Sequence, residues 1–157
     1  MNETESRMEE IRKNSPYLLT LEKGQNFPIP DLINAKRIIL IDGQTKIPSS
    51  VLTFGIATFA PRTSVHKKHH HDGAEEIMYI LSGRGIGGIG DDVEFEERAG
   101  DTLFVPQGVD HWFYNPFDEP CSMIWIYTQP SLRAAGYELE SRNYKEIDHE
   151  KEYKEVK

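Results

Sequence analysis

Between residues 35 and 127 short apolar runs alternate with clusters of Gly, Pro, Asn and Asp. Runs of roughly four to eight residues, rich in β-branched and aromatic types and closed by turn residues, predict strands. Residues 35–41 form one, closed by Asp42-Gly43, and Val51 to Ala60 another, closed by Pro61. Glu76 to Leu81, Thr102 to Val105, Val109 to Tyr114 and Ser122 to Tyr127 continue the series. The segment from Gly83 to Gly90 reads as a glycine-bearing strand with a hairpin at Gly90-Asp91-Asp92, and Val93 and Phe95 resume the alternation. Its G-x-G-x-x-G spacing at Gly83, Gly85 and Gly88 is not a phosphate loop, because no helical pattern follows it.

Helical signal is sparse. Residues 5–13 predict a short helix ended before Pro16, with Met8 and Ile11 as its apolar contacts. Tyr17 to Leu21 reads as a short edge or exchanged strand, and Gln129 to Gly136 as a turn with one helical turn. Many short strands with Gly/Pro turns give an all-β sandwich or barrel, with at least eight strands expected between residues 17 and 130.

The polar positions set the boundaries: an N-terminal polar segment at 1–16, a barrel at 17–136 and a charged tail at 137–157. That tail is either a helix packed on a partner or a segment without order of its own. No internal repeat suggests a second barrel. A net charge of −8 argues against nucleic acid as a partner, since phosphate binding needs a positive footprint. No stretch approaches the ~18 apolar residues of a membrane helix, and the first residues lack the pattern of a secretory signal. With Cys121 alone, no intramolecular disulfide forms, and a reducing cytoplasm is the expected compartment.

One stretch carries metal-capable chemistry. In an extended segment residues two apart share a face, so His69 and His71 reach one point while His70 faces away. Asp72-Gly73 bends the chain and Glu76 opens the next strand; Glu75 points the other way. His111, early on a later strand, supplies a third imidazole. Three imidazoles and a carboxylate make a mixed N/O site for a divalent transition metal: Fe, Mn, Ni, Co, Cu or Zn. His66 is expected at the rim, in solvent.

These residues resemble the cupin family. Its first motif reads G-x5-H-x-H-x3/4-E-x6-G, and this chain gives His69, His71, Glu76 and Gly83 at that spacing. Its second reads G-x5-P-x-G-x2-H-x3-N, matched at Gly100, Pro106, Gly108, His111 and Asn115. Thr63 stands where the first motif opens with Gly, so the approach to His69 is expected to carry an extra, bulged residue. The resemblance implies a jelly-roll barrel with one metal ion per chain in its mouth, held by His69, His71, Glu76 and His111. Met78, Ile80 and Phe113 then alternate inward with the ligands, while Asn115 either supports a ligand or stabilises a strand end. Thr58 and Tyr127 are further polar neighbours, and Arg62, Arg84 and Arg133 are candidates for holding an anionic substrate.

Among cupins that site implies a metal-dependent enzyme on a small oxygen-rich molecule, with dioxygenase chemistry first. An isomerase or lyase on a sugar or keto acid is the alternative, and a non-catalytic binding protein for a small ligand a third possibility. A storage role is disfavoured by the intact ligand set. A homodimer is expected from the family habit and from strand faces carrying Trp112, Tyr114 or Trp125.

Overall fold

The computed structural model describes residues 2–26, 29 and 32–137. The expectations for the tail beyond Tyr137 lie outside the described residues. Helix α1 (Glu3–Asn14) starts two residues before the expected position. Asn2 is the reason: its side chain accepts from Glu5 N at 2.9 Å while its own N–H donates to Glu5 Oε2 at 2.8 Å, a reciprocal cap. No α1 residue is buried, with Met8 63% and Ile11 55% exposed. The extended run expected at Tyr17 to Leu21 joins no ladder; it leads into a 3-10 turn at Leu21–Lys23.

Eleven strands follow among the described residues: β1 (Gln25–Asn26), β2 (Leu32–Ile33), β3 (Ala35–Ile41), β4 (Thr53–Phe59), β5 (Ser64–His69), β6 (Glu76–Ser82), β7 (Arg84–Ile89), β8 (Val93–Arg98), β9 (Thr102–Val105), β10 (His111–Asn115) and β11 (Cys121–Tyr127). They form two antiparallel sheets, ordered β1-β3-β4-β11-β6-β9 and β2-β5-β10-β7-β8. Apart from the paired neighbours β3-β4 and β7-β8, strands adjacent in sequence change sheet, and the two sheets face each other as a jelly roll. Burial alternates with period two on β4, β10 and β11, which fixes register because a one-residue slip would turn the apolar set outward.

The inward positions make the core: Ile39, Phe59, Met78, Ile80, Phe113, Met123, Trp125 and Tyr127 are all buried. Phe59 and Phe113 meet edge to face across the sheets, ring centroids 4.7 Å apart. The glycines of β7 permit this packing. A Cβ on Gly85 would stand 2.0 Å from the Phe113 ring, and one on Gly88 1.9 Å from Trp112. Trp125 lies inside the barrel at 1% exposure, so it offers no uncovered outer face. Trp112 and Tyr114, on the outside, are tied to the carboxylate of Glu94.

At the inner face of β8, Glu97 is 2% exposed and neither carboxylate oxygen has a hydrogen-bond partner among the described residues. Burial, then the nearby charge of Asp101, pushes its pKa up from 4.5 to about 7. A folded pKa above the unfolded one contributes stability below pH 4.5 that is lost as pH rises through 7. The difference corresponds to roughly 3 kcal/mol at most. Glu97→Gln is expected to flatten this loss: between pH 5 and pH 8 wild-type melting should fall several degrees further than that of the variant. Parallel melting curves for the two proteins would contradict it.

Candidate metal centre

Glu76 is the first residue of β6, paired with Val105 on one side and Tyr127 on the other, and the strand's alternation turns it inward with Met78 and Ile80. His111 opens β10 directly opposite His69, the last residue of β5. His71 lies in the turn between β5 and β6, where its carbonyl accepts from Gly108 N at 2.9 Å. One ligand atom each from His69, His71, Glu76 and His111 falls within 4.8 Å of all the others. His71, Glu76 and His111 are 2–3% exposed, and His69 is half-buried.

The extra residue expected before His69 is present. His111 pairs with His69 but Phe113 pairs with His66, so three steps on β5 face two on β10. Such a bulge brings two residues of odd separation to one face. His66 therefore turns into the barrel, its ring centroid 3.9 Å from that of His69, and the rim position expected for it is corrected. His66 Nε2 is buried with no hydrogen-bond partner among the described residues. His70 points outward, 2.8 Å from Asp110 and 3.3 Å from Asp72, and Glu75 is exposed.

The histidine tautomers are fixed by backbone. Nδ1 of His69 donates to Lys67 O at 2.7 Å, that of His71 to Ala135 O at 3.1 Å and that of His111 to Val109 O at 3.1 Å. A carbonyl only accepts, so each Nδ1 carries the proton and each Nε2 presents a lone pair. The lone pairs of His71 and His111 then face Glu76 Oε2 at 3.2 Å and 2.8 Å. Lone pairs at such distances in a buried space require a cation between them. A divalent metal meets that requirement, and the donor set of neutral imidazoles plus carboxylate suits one.

A proton is the competing cation. Burial works against a charged His111, but the Glu76 contact prevails and its pKa is raised. Burial would likewise raise the Glu76 pKa, yet the bonds to His111 and His71 hold it well below the usual carboxylate range. Burial, with the neighbouring His111, pushes His69 down to about 3.

Beside the cluster lies a buried cation. Arg37, on β3, is 4% exposed, and its Nη2 is 3.8 Å from Glu76 Oε1. Its guanidinium stacks over Trp125 at 3.7 Å and donates from Nη2 to the Tyr127 hydroxyl at 2.5 Å and from Nη1 to the Tyr137 hydroxyl at 3.3 Å. Tyr137 reaches within 3.4 Å of His69 Nε2. The strap that carries it is tied down by Ala135 O on His71 and by Gln129 Nε2 on Gly73 O at 2.7 Å.

The arginines named from the sequence lie elsewhere. Arg62 pairs with Asp118, Arg84 with Glu96 and Glu119, and Arg133 is exposed on the strap; none lines the cavity beside Glu76. Period two did offer Arg37, which shares the inward face of Ile39. Tyr137 had no such signal, since it was grouped with the charged tail. Tyr127 faces inward, whereas Thr58 faces outward to Ser122 Oγ.

A cavity of about 20 Å³ lies between Arg37, His66, Glu76, Met78, Phe113 and Trp125. Ile80 sits deeper in the core. Asn115 is remote from this space: its amide donates to Phe59 O and Glu119 O and its carbonyl accepts from Phe117 N, which closes the loop after β10. Its role is that of stabilising a strand end.

Comparison with known proteins agrees with this geometry. The family model described as a cupin domain matches residues 55–127. An uncharacterized protein of Methanocaldococcus jannaschii is 34% identical over 73 residues, 46% of this chain and 55% of that protein. The chain thus spans about half the length of that relative. Among solved structures, a predicted oxalate decarboxylase from Thermotoga maritima superposes with a TM-score of 0.60 at 19% identity, over 71% of this chain and 97% of the other. The polyketide cyclase RemF from Streptomyces resistomycificus gives 0.59 at 18%, over 69% and 76%. Bacillus subtilis oxalate decarboxylase, whose Mn(II) centres have been characterised, gives 0.60 at 22%, over 71% and 29%. At these identities the likeness is one of fold.

Protein prepared without chelator is expected to hold one divalent metal per chain by elemental analysis. His69→Ala, His71→Ala or His111→Ala should strip most of it and Glu76→Ala should weaken it, whereas His70→Ala should leave it in place. A site emptied by His70→Ala but not by His69→Ala would overturn this ligand set. Because one proton competes at His111, metal affinity measured by competition should fall about tenfold per pH unit once pH drops below the raised His111 pKa. Affinity constant from pH 8 to pH 5 would contradict that.

Proposed function

We propose that this chain, whose residues 55–127 match the cupin-domain model, is a metal-dependent enzyme acting on a small oxygen-rich molecule, an oxidoreductase of the dioxygenase type. The observation that supports this is the enclosure of three Nε2 lone pairs and one carboxylate oxygen within 4.8 Å. Four protein donors leave room at a six-coordinate metal for a chelating oxygen pair, as in a keto acid, a hydroxy acid or a catechol. When bound, a divalent metal would polarise such a pair and, if it is iron, admit O₂ chemistry.

The chain's own residues supply the rest. Met78, Phe113 and Trp125 keep the space beside Glu76 apolar and exclude water, which strengthens every charge interaction within it. The Nδ1 bonds to Lys67, Ala135 and Val109 hold the imidazoles so that no reorganisation is needed when a cation enters. A lyase acting on a keto acid is the second reading, favoured by Arg37: a buried guanidinium next to the cluster offsets the charge of a carboxylate substrate.

We also propose a homodimer. Ile77, Tyr79, Leu81 and Phe104 expose 37%, 39%, 44% and 49% of their surfaces, and Ile77 pairs directly with Phe104 across β6 and β9. A contiguous apolar patch of this kind marks an interaction surface. Light scattering should return twice the chain mass of 18.0 kDa; a monomer at high concentration would remove this reading.

Oxygen uptake by iron-loaded protein supplied with keto acids, hydroxy acids and catechols tests the reaction class. Uptake matched to substrate loss supports the dioxygenase, and product formed without uptake supports the lyase. Absence of turnover, together with no binding of these compounds in calorimetry, would refute both.

A further inference from the structure

Two residues outside the matched domain, Arg37 and Tyr137, meet beside the four-donor cluster. With Tyr127 they form a closed hydrogen-bond network. A guanidinium only donates. Tyr127 and Tyr137 therefore both accept from Arg37, at 2.5 Å and 3.3 Å, and their hydroxyls lie 3.0 Å apart. Each phenol has one proton to give. If Tyr127 gives its proton to Tyr137, the Tyr137 proton has one remaining direction, toward His69 Nε2 at 3.4 Å.

That nitrogen is a metal donor under the reading proposed above, and a lone pair engaged with a metal no longer accepts a proton. The Tyr137 hydroxyl is then left as a donor aimed at whatever sits on the His69 side of the cluster. Arg37 stands behind it with a permanent positive charge, 3.8 Å from Glu76. A divalent ion, Arg37 and a single carboxylate leave this buried space net positive. The cavity adjoining it contains two further buried polar atoms without partners among the described residues, Arg37 Nε and His66 Nε2. Buried polar groups of this kind are normally satisfied by a ligand or ordered water.

We propose that Tyr137, positioned and backed by Arg37 and Tyr127, is a substrate-binding residue that donates a hydrogen bond to an anionic oxygen beside the cluster, so that the substrate class is a small carboxylic acid rather than a neutral chelator. This rests on the metal-dependent reading of the same site.

Cobalt(II) serves as the probe, because its visible absorption reports ligand entry without any turnover. Wild-type protein loaded with one Co(II) per chain is titrated with glycolate and with glycolamide, its uncharged counterpart of the same size. The wild type should prefer glycolate by tenfold or more. Tyr137→Phe should keep its Co(II), bind glycolate about tenfold or more weakly and show a narrower preference, the loss expected for one hydrogen bond to a charged group. Arg37→Lys, which keeps the charge but loses the fork of donors, should weaken glycolate in the same direction; if it does not fold, Tyr137→Phe decides. Equal glycolate affinity in Tyr137→Phe and wild type overturns the proposal while leaving the metal reading intact. Loss of Co(II) from Tyr137→Phe also overturns it, since Tyr137 would then hold the cluster rather than the ligand. A wild-type Co(II) protein that binds neither compound overturns this proposal and the chelating-substrate reading together.

Discussion

Three imidazole lone pairs and one carboxylate oxygen are confined to a space from which water is largely excluded, and the mouth of the barrel depends on how that repulsion is resolved. Buried charge without a partner is among the costliest features a fold can carry. Here the carboxylate is Glu76: Arg37 stands 3.8 Å from its Oε1, and its Oε2 faces either a proton shared with His111 or a metal ion. The backbone carbonyls of Lys67, Val109 and Ala135 take the Nδ1 protons and leave the Nε2 atoms no other role. Those carbonyls come from β5, from the turn before β10 and from the strap after β11. Three separate parts of the chain thus converge on one small set of lone pairs.

Much of this was legible in the sequence because strands have a rigid period. Alternation placed Met78, Ile80 and Phe113 inward and His70 and Glu75 outward, and the motif spacing brought His111 into line with His69. The missing glycine at Thr63 correctly announced an extra residue in β5. Its consequence for His66 was not drawn: a bulge reverses parity, so a residue three positions from His69 came to share its face. Arg37 was passed over because a charged residue within an apolar strand is easily read as outward, although its parity with Ile39 says otherwise. Its burial is sustained by Trp125 beneath it and the two phenols beside it, contacts that no local pattern reveals. The start of α1 was missed for a simpler reason, since Asn2 and Glu5 together carry a capping signature.

Tyr137 shows where reading by composition stops. The chain around it turns polar, and a boundary at residue 136 cut it from the barrel. The structure returns it to the core edge through the strap, with Leu132 and Ala135 fully buried beneath. The matched domain at 55–127 supplies the metal-capable donors, and the flanking segments supply the positive and phenolic groups around them. The proposed substrate-binding groups Arg37 and Tyr137 thus come from the flanks, whereas the donor cluster lies within the matched domain.

The ligand set expected for a metal in this cluster is three imidazoles and one carboxylate, from His69, His71, His111 and Glu76. X-ray absorption on metal-loaded protein reads this directly, because imidazole rings add a multiple-scattering signature that water and carboxylate lack. Three imidazole nitrogens and one carboxylate oxygen are expected at roughly 2.0–2.2 Å, with any remaining positions filled by oxygen. Four imidazoles would mean that His66 has joined the set, and two or fewer would mean that the convergence of His69, His71 and His111 does not serve a metal; either result contradicts it.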